Sequence, residues 1–111
     1  MFEDEKRSFE LKKSIMLMSA NAYGNEFTYL IYKDAFRENK TMGYIDKTFL
    51  ELTNKLINYV ERYKDMLTPE HCYTLKCDIR QKHDITVSAM YFIYHSDLIE
   101  RFNKERYNEN E

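Results

Sequence analysis

The chain has 111 residues, only two glycines and one proline, 43% apolar side chains and 15% aromatic ones. Those figures suit a single domain over 1–111, and they exclude collagen-like, Pro-rich and linker-type chains, a turn-dense β-sandwich and a disordered polymer. Seventeen basic side chains are mixed with nineteen acidic ones, which leaves no long basic stripe for nucleic acid or an anionic membrane.

Leu11, Ile15, Met18 and Ala22 recur at helical spacing, widened by Phe9 and Met16, and predict an amphipathic helix over about 4–23. Gly24 then suits a C′ position, and Asn25 can cap the next segment. Over 26–38, Phe27, Ile31 and Ala35 share one helical face, although Phe27–Tyr32 also has strand propensity. The helix is favoured, with Asn39–Gly43 as the loop after it. The clearest periodicity is Ile45, Phe49, Leu52, Leu56, Tyr59, Tyr63 and Met66, which predicts a helix over 45–67 with a bundle face.

Thr68-Pro69-Glu70 is a helix start: a capping hydroxyl, a proline suited to the first helical position, and an acid near the positive helix end. It opens a helix over 69–82 on which Cys72, Leu75 and Ile79 share a face. A last helix is predicted over 86–106, with Ala89–Tyr94 apolar all round and therefore the most buried stretch. The sum is an all-α bundle of four or five helices, with 45–67 and 86–106 supplying most of the core. A competing alternation, Tyr73 to Ile79 and Ile85 to Ile93, allows an α+β fold with a 73–80/85–94 hairpin, although no Gly or Asn-Gly marks its turn.

The mixed charges of Met1–Arg7 are unlike a signal peptide, and the longest apolar run, Ala89–Tyr94, is far too short for a membrane span. With two cysteines and no disulfide framework, the expected setting is the reducing cytoplasm.

Chemistry-bearing motifs are scarce. His71, Cys72, Cys77 and His83 are the one metal-like group, but their spacing fits zinc poorly, and five residues turn Cys77 about 140° from Cys72 on a helix. Packing cysteines and surface histidines explain them better, so no metal is expected. His71 and Cys72 are neighbours that point apart, which disfavours a nucleophile–base pair. Arg80-Gln81-Lys82-His83 has the wrong spacing for the Arg–His pair of small helical nucleases. There is no phosphate loop, dinucleotide fingerprint or nucleophile elbow. Neither catalysis nor a cofactor is expected.

Ten tyrosines exceed what so small a core can hide. Tyrosine is enriched at protein interfaces because it is large, rigid and amphipathic. Tyr29, Tyr32, Tyr63, Tyr91 and Tyr94 are therefore the candidate partner-binding residues. The expected function is a non-catalytic protein-binding regulator, inhibitor or adaptor, homo-oligomeric, with a partner protein. Richness in Lys, Asn, Ile and Tyr fits AT-rich coding DNA, and hence a phage or mobile-element protein that modulates a host factor. The alternative is a helix-turn-helix DNA-binding regulator over 76–94, in which Lys76, Arg80 and Lys82 meet phosphates and Ser88 lies on the recognition helix. That helix carries no Arg or Lys before Arg101, so nucleic acid is the less favoured partner.

Overall fold

The computed structural model describes residues 2–24, 28, 31, 33 and 42–109. The elements with defined bounds are α1 (Phe2–Ala22), α2 (Met42–Arg62), a 3-10 turn (Lys64–Met66) and α3 (Pro69–Glu109). No strand occurs among the described residues. Thr28, Ile31 and Lys33 are helical, and the rest of the predicted 26–38 helix lies outside the described residues.

α1 agrees with the sequence pattern at its ends, but its buried line is partly polar. Ser8, Ile15 and Ser19 are fully buried, while Leu11 and Ala22 are only partly so and Met18 turns outward. Two serines on the inner face let α1 approach its neighbour closely, provided each hydroxyl finds a partner. Both do. Ser8 Oγ accepts the Thr68 N–H at 2.9 Å and lies 2.7 Å from His71 Nδ1. Ser19 Oγ accepts from Lys82 Nζ at 3.5 Å. These pairs run in the same order along both helices, so α1 lies parallel to α3.

α2 begins at Met42, which places Gly43 in its first turn rather than in the predicted loop. It ends at Arg62, five residues short of the predicted 67, and the chain tightens into the 3-10 turn. Its fully buried and nearly buried positions are Ile45, Phe49, Thr53, Leu56 and Val60. Leu52 and Tyr59, read from the sequence as central to the stripe, sit at its edge. Met66 is exposed, because it follows the end of the helix that was to carry it inward. Leu67, extended at φ −112°, ψ 149°, is buried and plugs the same end of the core.

The Thr68-Pro69-Glu70 start is realised. Thr68 Oγ1 accepts the His71 N–H at 3.1 Å, and the Thr68 carbonyl accepts the Cys72 N–H at 3.0 Å. From Pro69 the helix then runs for 41 residues without a break. This corrects three expectations together. The helices over 69–82 and 86–106 are one helix, the 73–80/85–94 hairpin does not form, and the corner that a helix-turn-helix over 76–94 requires is absent. Three helices with defined bounds replace the bundle of four or five. The physical reason is that 70–109 contains neither Gly nor Pro, and Thr86, which could cap a helix only after a break in the chain, is tolerated inside one as a modest helix former.

α2 returns antiparallel along α3: Glu61 pairs with Lys76, Thr53 with His83, and Asp46 with Tyr91. The core is accordingly drawn out in two clusters. Ile15, Leu56, Val60, Leu67, Leu75 and Ile79 form the first, and Ile31, Ile45, Phe49, Met90 and Tyr94 the second. The molecule is a rod of 75 × 17 × 17 Å, its length set by α3, which alone spans about 60 Å at 1.5 Å per residue. No helix among the described residues is long and apolar enough to cross a membrane.

Candidate functional site: the outer face of α3

Among the described residues, Tyr63, Tyr91 and Tyr94 of the predicted tyrosine surface do not come together on one exposed face. Tyr94 is only 4% exposed and belongs to the second core cluster, so it is a core residue rather than a partner-binding one. Tyr91 is half-buried, and its hydroxyl donates to Asp46 Oδ2 near the start of α2. That carboxylate, with partial burial, raises the Tyr91 pKa. Tyr63 sits just past the other end of α2, its ring centroid 4.8 Å from that of Tyr59. Tyr29 and Tyr32 lie outside the described residues.

The residues of the DNA-binding alternative also diverge. Lys76 forms an ion pair with Glu61 across the α2 interface. Lys82 pairs with Asp78 at 2.9 Å and leans on α1 through Ser19. Arg80 and Ser88 are exposed on the same uninterrupted helix.

His71 and His83 are engaged inside the helix interfaces. Ser8 Oγ accepts from Thr68, so its own proton is free to go to His71 Nδ1. Thr53 Oγ1 lies 2.5 Å from the Tyr23 hydroxyl and 2.7 Å from His83 Nδ1, which links all three chain segments at mid-rod. Burial, only partly offset by the Thr53 hydrogen bond, raises the Tyr23 pKa above its ordinary value. A phenol favoured in its neutral form by the fold stabilises it fully below about pH 10, and that stabilisation fades as pH rises through the raised folded value. Melting temperature followed from about pH 9 to 11 should therefore fall less steeply in Tyr23→Phe than in the parent chain. Parallel curves would remove Tyr23 from the alkaline transition.

The two cysteines are free. Cys77 is exposed, while Cys72 is half-buried and its thiol is pushed up by that burial against a smaller opposing effect of the Lys64 ammonium. A maleimide titrated against the native chain should modify Cys77 first, read by peptide mass; preferential labelling of Cys72 would contradict this packing. No group of three His, Cys, Asp or Glu side chains is placed to hold a metal ion among the described residues.

What sequence reasoning missed is the other side of α3. Met90 and Tyr94 face α2, and Phe92 lies about 200° round the helix from Met90. It points away from the core and is 76% exposed. Ile85 and Ile99, seven residues to either side, are 62% and 61% exposed and lie on the same line. The small Ser88, Ala89 and Ser96 beside them are exposed too, and Phe102 extends the strip toward the C-terminus. The stretch Ala89–Tyr94, expected to be the most buried, is thus split, with two side chains in and the remainder half-buried or exposed. The seven-residue repeat of Ile85, Phe92 and Ile99 was the available signal. Reading Ala89–Tyr94 as apolar all round, and so buried, hid it.

No protein family, no curated protein and no solved structure matches this chain.

Proposed function

We propose that this chain is a non-catalytic protein-binding module, of the regulatory or adaptor kind, and that it binds through the outer face of α3. The observation that carries the reading is the straight apolar line of Ile85, Phe92 and Ile99 on a long helix, with Phe102 on its flank about 80° round from Phe92. Soluble monomers rarely leave so many large apolar side chains aligned in water, and such strips mark contact with other proteins. A protruding helix face with apolar anchors at heptad spacing is the geometry of helix-to-helix recognition. Two of the three histidines, His71 and His83, support a non-catalytic role, since the hydroxyls they meet belong to Ser8 and Thr53, at 1% and 6% exposure, shut inside helix interfaces.

A phage or mobile-element protein that modulates a host factor remains the specific form proposed. The test is affinity capture from the native host, comparing the full chain with Phe92→Glu. Loss of captured protein on Phe92→Glu, with helicity unchanged, is the expected result. Capture that is indifferent to Phe92→Glu counts against the face. A salt-sensitive DNA affinity abolished by Arg80→Ala/Lys82→Ala counts against the whole reading.

A further inference from the structure

We propose that the outer face of α3 is occupied by a second copy of the same chain, paired antiparallel about a two-fold axis at Phe92. This rests on the reading that the face binds protein, and it names the partner.

A two-fold interface must be self-complementary: if residue i meets j, then j meets i. The strip has that symmetry written along it. Ser88 and Ser96 stand four residues to either side of Phe92, and Ile85 and Ile99 stand seven to either side. Antiparallel pairing centred on Phe92 therefore sets Ile85 level with the partner's Ile99, Ser88 level with the partner's Ser96, and Phe92 against its own copy. Large and small side chains alternate along the line, so the two faces interdigitate rather than collide.

Helix dipoles and the charges at the two ends of the line favour the antiparallel direction. Centred on Phe92, Asp78, which already pairs with Lys82 within its own chain, falls level with the partner's Arg106, fourteen residues from the axis on either side. A parallel in-register pair would instead set Arg106 level with Arg106 and Asp78 level with Asp78, and would align the two helix macrodipoles.

The strip also has the extent a dimer needs. From Asp78 to Arg106 it is about 42 Å long. Ile85, Phe92, Ile99 and Phe102 offer on the order of 500 Å² of apolar surface per copy, and the flanking turns bring the total toward the roughly 800 Å² per partner of a standard interface. Leu98 packs on the core, and Ile99 and Phe102 beyond it are largely exposed. Antiparallel pairing lays this C-terminal part of each α3 beside the partner's body, along the groove where Met16, Leu17 and Ala20 meet Lys82.

The test is sedimentation equilibrium on the purified full chain, with circular dichroism as the folding control. The parent chain is expected to be a dimer at micromolar concentration. Phe92→Glu should weaken it roughly thirtyfold or more, as loss of a central aromatic anchor does. Its helicity should stay unchanged, because Phe92 makes no part of the monomer core. Ile85→Glu and Ile99→Lys should each weaken the dimer. The double variant Ile85→Glu/Ile99→Lys should restore it, because antiparallel pairing sets the two new opposite charges level with one another. A double variant that stays monomeric overturns the antiparallel register, since parallel pairing meets like with like. A monomeric parent chain, or a dimer untouched by Phe92→Glu, overturns self-pairing altogether. In the first of these cases, a loss of captured host protein on Phe92→Glu would leave the protein-binding reading standing, with a different occupant.

Discussion

Phe49→Ala is expected to destabilise the fold by about 3–5 kcal/mol, the range for truncating a fully buried aromatic ring. Phe49 is completely buried among Ile45, Met90 and Tyr94, where α2 crosses the middle of α3. Removing the ring loses its transfer free energy and leaves a cavity that two rigid helices cannot close. A domain of this size has about 5–15 kcal/mol in all, so the loss takes a large share of it. Chemical denaturation read by circular dichroism measures the effect. Leu50→Ala is the matched control, since its side chain is exposed on the next position of the same helix. It should shift stability by no more than about 0.5 kcal/mol. Equal losses for the two variants would mean that α2 presents a different face to α3.

The second large effect is Asp84→Pro, expected to cost about 3 kcal/mol or more. Asp84 is exposed and lies mid-way along α3. Proline there removes one hydrogen bond of the helical ladder and drives its ring into the carbonyl four residues back. His83, which meets Thr53 next to this point, would be displaced with it. The substitution separates the architectures sharply. In a corner or hairpin turn over 81–85, proline would be tolerated. In one continuous helix it kinks the rod at its centre. Asp84→Ala, measured beside it, should be close to neutral, because alanine keeps the ladder and is a better helix former. A proline variant as stable as the alanine variant would restore the two-helix reading of 69–106.

The interior of the rod also explains why polar residues escape a hydrophobicity-based reading. Ser8, Ser19 and Thr53 are among its most buried side chains. Each is small enough for close helix approach, and each hydroxyl has a partner on another helix. Without those partners, burial would carry a penalty of about 1–3 kcal/mol per group. The partners lie between thirty and sixty-three residues away in the chain, so no local pattern could announce them.

Local chemistry decided much by itself. Composition spoke against a turn-dense β-sandwich, and the described residues contain no strand. The periodicity of 4–23 and 45–67 located α1 and most of α2, because an amphipathic stripe records which side must leave water. Thr68-Pro69-Glu70 located the start of α3 almost to the residue, because capping is a contact between near neighbours. The tertiary structure decided what depends on distant segments. An apolar-all-round stretch such as Ala89–Tyr94 has no stripe to read, so the position of α2 alone determined that Met90 and Tyr94 turn inward and Phe92 outward. Thr86 is a cap only if the chain breaks before it, and the contacts of Lys76, Ile79, His83 and Tyr91 with α1 and α2 span that point as one helix. The tyrosines were rightly read as too many for the core, yet the strip left in water is built of Ile and Phe. The Tyr91 and Tyr23 hydroxyls reach Asp46 and Thr53, while the outer line of α3 meets no other helix among the described residues.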